Sequence, residues 1–146
     1  MQLAPPTPLR TPLSGPSPAS RPIALCRPQP VGGLCNWQIR RITAHIDANL
    51  GTTLRTGTLA AILGLSVSHF TRAFKQSVGV PPRVYVIRRR LAAACEAMLV
   101  SNEPLTAIAH HHGFCDQSHF TRTFHEVLGV APQAWRRRQG SALEAA

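Results

Sequence analysis

HFTRAFKQSVGVPPRVY (69–85) returns 50 residues later as HFTRTFHEVLGVAPQAW (119–135), with eight of 17 positions identical. The two phenylalanines, the glycine and the proline after it recur in register. Upstream, LAAILGL (59–65) parallels IAHHHGF (108–114) at an offset of 49, so the second copy has one extra residue in its turn. Self-similarity on this scale marks a duplicated supersecondary unit. Each copy reads as helix, glycine-bearing turn, helix, with Ala60 or Ala109 four places before the glycine. The small residue lets the two helices approach, and the glycine lets the chain turn sharply between them. That is the helix-turn-helix pattern, whose second helix enters the major groove of DNA.

Outward from the repeat, apolar residues recur at helical spacing from Asn36 onward, and no stretch sustains the two-residue alternation of a half-buried strand. An all-α domain of seven helices follows. The first is expected after Asn36 as N-cap, with Trp37, Ile39, Ile42 and Ile46 inward and Gly51 beyond its end. A short second helix fits 58–63, with Thr56 as cap and Gly64 as the left-handed residue. The third begins after Ser66 and buries Phe70, Ala73, Phe74 and Ser77, leaving Ser68, Thr71, Arg72 and Lys75 on the opposite face. Pro81-Pro82 opens a long linker helix with Val84, Ile87, Leu91, Ala94 or Cys95, and Met98 on one face. At about 1.5 Å per residue, its span from Val84 to Val100 is roughly 25 Å.

A fifth helix runs from Pro104 to His112. The sixth, capped by Asp116, buries Phe120, Phe124 and Val127 or Leu128, and a short seventh starts at Pro132 and includes Trp135. The expected organisation is therefore a disordered proline-rich tail at 1–35, a double helix-turn-helix domain at 36–138 and a disordered end at 139–146. Within the domain the first unit covers about 36–80, the linker helix about 82–100 and the second unit about 104–138. The tail is assigned on composition: nine of the 13 prolines lie in the first 30 residues, and such a stretch buries too little apolar surface to offset its ordering entropy.

Charge narrows the partner. The chain carries 16 Lys+Arg against six Asp+Glu, a formal +10. Residues 36–138 alone hold 13 bases and five acids, or +8, so the folded part is the source of the imbalance. All but one of the bases are arginine, whose planar fork matches phosphate and guanine edges. A basic folded domain points first to nucleic acid. Two recognition helices on a strut of this length could sit roughly 34 Å apart, one turn of B-DNA, so that a monomer reads two successive major grooves.

Other classes are disfavoured. Cys26, Cys35, Cys95 and Cys115 lack the paired spacing of metal knuckles or redox motifs, which suits reduced thiols. No run of 18 apolar residues exists and the start, MQLAPPTPLRTPLSG, lacks the apolar core of a secretory signal, so a cytoplasmic, nucleoid-associated protein without membrane contact is expected. His110-His111-His112, with Cys115 and His119, has metal-ligand residue types. Gly113 breaks the helix between them, so they do not share a face, and no metal or other cofactor is expected. The six acids are scattered, no catalytic constellation emerges, and the chain is not read as an enzyme. Phe70, Phe74, Phe120, Phe124 and Trp135 are core by their spacing, and His69 and His119 are read as packing or partly exposed. Glu96 is placed to pair with Arg89 or Arg90 along the linker helix.

The stretch PLTAIAHHHGFCDQSHFTRTFHEVLGVAPQAWRR (104–137), together with LAAILGLSVSHFTRAFKQSVGVPP (59–82), resembles the DNA-binding domain of the bacterial AraC/XylS family of transcription regulators. The resemblance covers roughly 36–138. It implies a seven-helix fold of two subdomains joined by a linker helix, double-stranded DNA and RNA polymerase as partners, and control of transcription. By position, the family's base-contacting sites fall on Ser68, Thr71 and Arg72 in the first unit and on Gln117, Ser118 and Arg122 in the second. Their chemistry agrees: arginine can grip guanine O6/N7, glutamine can grip adenine N6/N7, and serine or threonine adapts to either. Lys75, Arg40, Arg41, Thr121 and some of Arg88, Arg89 and Arg90 are cast as phosphate contacts, which set affinity and register. Phosphate contact is equally open to Arg136, Arg137 and Arg138. Many members of the family carry a sensing or dimerisation domain where this sequence has its proline-rich segment, which leaves effector control unassigned.

Two other functions fit less of the sequence. A non-specific nucleoid or RNA-binding protein would share the charge. A remnant of a cysteine-based DNA alkyl-transfer regulator is suggested by ALCRPQP (24–30), but Cys26 and Cys35 lack the folded, activating site and further cysteines that such chemistry needs.

Overall fold

The computed structural model describes residues 31–145. They form seven helices and, among the described residues, no strand. The helices are α1 (Asn36–Ala48), α2 (Thr56–Ile62), α3 (Val67–Val78), α4 (Pro82–Val100), α5 (Leu105–His111), α6 (Gln117–Leu128) and α7 (Pro132–Glu144). This is the all-α, two-subdomain arrangement expected from the repeat.

Two cores share α4. In the first, Leu34, Ile42, Ile46, Leu59, Phe70 and Phe74 pack with Val86 near the start of α4. In the second, Leu91, Ala94 and Met98 from the rest of α4 meet Leu105, Ile108, Phe114, Phe120 and Phe124. Phe70, Phe74, Phe120 and Phe124 are fully buried, each removing enough apolar surface from water to stabilise the fold by about 1.5–3 kcal/mol. The ring geometry is duplicated with the sequence. Phe74 meets Tyr85 edge-on at 5.5 Å, and Phe124 meets Trp135 edge-on at 5.9 Å. Such pairs add about 0.5–1.5 kcal/mol beyond burial.

The turns are duplicated as well. Leu65 N–H donates to the Ala60 carbonyl and Gly64 N–H to that of Ala61, both at 3.0 Å. Phe114 and Gly113 repeat this pair against Ala109 and His110, at 3.0 and 3.2 Å. With Gly64 at φ +66° and Gly113 at φ +76°, both are Schellman ends, in which a left-handed glycine lets the chain close the helix's orphan carbonyls. The extra residue of the second copy falls at Cys115, before the α6 N-cap Asp116.

Several expectations are corrected. Trp37 is 55% exposed: it lies five residues before Ile42, about 140° round the helix from the buried stripe, and Leu34 fills the core instead. Leu34 is buried and Cys35, not Asn36, is the N-cap of α1, so the disordered tail expected at 1–35 cannot include its last residues. Its first 30 residues, Cys26 included, lie outside the described residues. Helix α2 starts at Thr56 with Arg55 as its N-cap. On α4, Val86 is buried while Val84 is exposed, and on α6 both Val127 and Leu128 are exposed. Val84 lies about 160° round α4 from buried Val86, and on α6 Phe120 and Phe124 already fill the facing core. The end expected to be disordered from 139 continues α7 through Glu144, where Ser141 Oγ donates to the Arg137 carbonyl at 3.1 Å.

Candidate nucleic-acid interface

The second helix of each unit is built to one plan. Both α3 and α6 are 12 residues long and end at a left-handed glycine, Gly79 or Gly129. Each begins at a side-chain cap: Ser66 Oγ accepts from His69 N–H at 3.2 Å, and Asp116 Oδ1 accepts from His119 N–H at 2.7 Å. Burial of the phenylalanines forces the opposite face outward. On α3 this exposes Ser68, Arg72 and Lys75 and half-exposes Thr71. On α6 it exposes Gln117, Ser118 and Arg122 and half-exposes Thr121, and these four line one shallow depression of about 410 Å³. Ser68, Thr71 and Arg72 thus reappear as Ser118, Thr121 and Arg122, 50 residues on. The copies differ at the first helical position, where half-exposed Val67 stands against Gln117.

Two of these side chains are held in place. Arg72 Nε donates back to the Ser68 carbonyl at 3.4 Å, and Thr106 Oγ1 donates to Gln117 Oε1 at 2.7 Å. The second bond fixes the Gln117 amide and leaves its NH₂ free to donate. His69 is exposed, whereas half-buried His119 packs edge-on against Phe114 at 5.5 Å.

The cations proposed for phosphate divide into two groups. Arg40, Arg41, Lys75 and Arg88 are exposed. Arg89 and Arg90 have other partners. Arg89 Nε meets Asp47 Oδ1 at 2.7 Å, and this bonded carboxylate raises its pKa above the usual guanidinium value. Arg90 is half-buried, and its guanidinium donates to three carbonyls: Leu50 at 2.9 Å, Thr52 at 2.7 Å and Gly113 at 2.8 Å. Burial lowers its pKa, and all three bonds tie it to the protein's own backbone. Glu96 makes no ion pair with either arginine among the described residues. Arg136 is half-buried and ties α7 to the Glu103 carbonyl at 3.0 Å, leaving Arg137 and Arg138 exposed.

A cleft of about 400 Å³ opens where the units meet, with an apolar floor that includes Leu54, Leu59 and Val86. Arg55 and Arg83 stand at its rim and escaped the sequence reading. A signal for them exists: each sits at a helix N-terminus, the N-cap of α2 and the first turn of α4. There the macrodipole disfavours a cation, so local stability gives no reason for either.

Among the described residues, no group of His, Cys, Asp and Glu is placed to hold a metal ion, and no helix is long and apolar enough to cross a membrane.

A sequence profile of a helix-turn-helix domain family matches residues 59–138. The chain is 31% identical over 77 residues to the probable transcriptional regulator LumQ of Photobacterium leiognathi, a match covering 53% of this chain and 31% of LumQ. It therefore corresponds to about a third of that protein. A transcriptional regulator of Chromobacterium violaceum with an AraC-type DNA-binding domain superposes with a TM-score of 0.65 at 25% identity, covering 69% of this chain and 90% of that one. The DNA-binding domain of AdpA, solved with a target DNA, gives a TM-score of 0.69 at 24% identity over 72% of this chain and 95% of that one. The chain belongs to the AraC-type helix-turn-helix family.

Proposed function

We propose that this protein is a sequence-specific DNA-binding regulator of transcription that reads two successive major grooves, one with α3 and one with α6. One observation carries the reading: two capped helices expose the same Ser, Thr and Arg set at matching positions, on a domain that is strongly basic. Arg72 and Arg122 are assigned to guanine edges, Gln117 to adenine, and Ser68, Thr71 and Ser118 to adaptable contacts. Because Val67 stands where Gln117 does, the two half-sites share one base preference and differ at another. Arg40, Arg41, Lys75, Arg88 and Thr121 supply phosphate contacts, joined by Arg55 and Arg83 at the cleft.

Selection of binding sites from random DNA tests this. The expected site has two half-sites about 10–10.5 base pairs apart, bound at least 10³-fold more tightly than unrelated DNA at the same salt. A non-specific nucleoid or RNA-binding protein would show the same steep salt dependence but no such ratio. That result would replace the present reading.

A further inference from the structure

The two units meet backbone to backbone. A Cβ added at Gly51 would lie 2.6 Å from the His111 carbonyl oxygen, and one added at Gly113 would run into the Leu50 carbonyl. Arg90 crosses this seam. Its guanidinium donates to Leu50 and Thr52, in the segment between α1 and α2, and to Gly113, in the turn of the second unit. One side chain therefore bonds both units while anchored on the helix that joins them. A guanidinium is suited to this because its donors form a rigid fork, and three carbonyls at fixed angles around it admit one arrangement of the two segments. Beyond Gly113 the chain leads within three residues to the N-cap of α6, so holding that turn holds the start of the second recognition helix.

From this geometry we propose that Arg90 is the positioning residue that fixes α6 relative to α3, and that it thereby sets the spacer length the protein accepts between its half-sites. The proposal rests on the two-groove reading. Each base pair added to a spacer turns one half-site by about 35° relative to the other, so a stiff seam rejects the change and a loose one follows it.

The full chain is titrated against sites whose half-sites are moved one base pair closer or further apart. The parent is expected to lose about tenfold or more per step. Arg90→Gln and Arg90→Met flatten that dependence while the bases preferred within each half-site stay the same. Arg90→Lys falls between, since one ammonium cannot reach three carbonyls. In parallel, spin labels at Lys75→Cys and His125→Cys, in a chain whose native cysteines are replaced, report the spacing of α3 and α6 without DNA. The distance distribution is narrow in the parent and broad in the Arg90 variants. Folded variants that keep the parent's spacer profile and label distances overturn the proposal. If the Arg90 variants do not fold, Gly51→Ala wedges the same seam from the other side and is held to the same two readouts. A parent that selects no bipartite site overturns the two-groove reading instead, and the label distances then judge the seam alone.

Discussion

Gly113 sets its α-carbon against the carbonyl of Leu50, in the other unit, so closely that no side chain fits between them. Its counterpart in the first turn, Gly64, has the same left-handed backbone but nothing within 4 Å of an added Cβ. Equivalent in the repeat, the two glycines differ in what surrounds them.

Gly64→Ala should therefore cost only the left-handed penalty, about 1 kcal/mol. Gly113→Ala must also displace Arg90 and part the seam, and is expected to cost about 3 kcal/mol or more. Denaturant titration of the two variants checks the difference. Equal losses would mean that the seam is not close-packed.

Capping of α3 and α6 is separately measurable. Ser66→Ala and Asp116→Ala each remove the acceptor for one N–H of the first turn and should destabilise by about 0.5–2 kcal/mol. Asp116→Asn retains an acceptor and should recover most of the loss. Thermal unfolding of the three variants distinguishes a cap from a solvated surface residue.

The repeated cores predict matched responses. Phe74→Ala and Phe124→Ala each empty a fully buried site and should cost about 3–5 kcal/mol. Against the 5–15 kcal/mol typical of whole domains, either removes a large share of the stability and should move the unfolding midpoint clearly to lower denaturant. Circular dichroism during urea titration provides the measurement.

Acid sensitivity is expected at His112. Burial, helped by neighbouring His111, lowers its pKa below the ordinary 6.5. The unfolded chain then binds the proton more readily than the folded one, so stability is intact above pH 6.5 and falls as pH drops below it. His112→Asn should flatten that part of the stability profile, as read by unfolding at a series of pH values. An unchanged slope would mean that His112 does not carry the effect.

The repeat made most of the fold legible, because duplicated Phe, Gly and Pro positions dictate the same helix, turn and cap twice. Phe70, Phe74, Phe120 and Phe124 could be placed in the core from spacing alone. Trp37 and Val127 could not, because periodicity gives a helix's apolar residues without saying which of them find a partner. The exposed faces of α3 and α6 followed from the same stripes. The bonds of Arg90 were not legible because its partners are carbonyls of Leu50, Thr52 and Gly113, as far as 40 residues away. A backbone oxygen leaves no trace in side-chain pattern, and an arginine beside two others looks like solvated charge until the turn that receives it is placed.

The most direct test of the account is binding-site selection repeated with Arg72→Ala and Arg122→Ala. Each variant is predicted to relax preference in one half-site only, a different one for each, at a cost of about 1–3 kcal/mol against the parent's best site. If both variants select the same sequences as the parent, α3 and α6 are not the helices that read DNA.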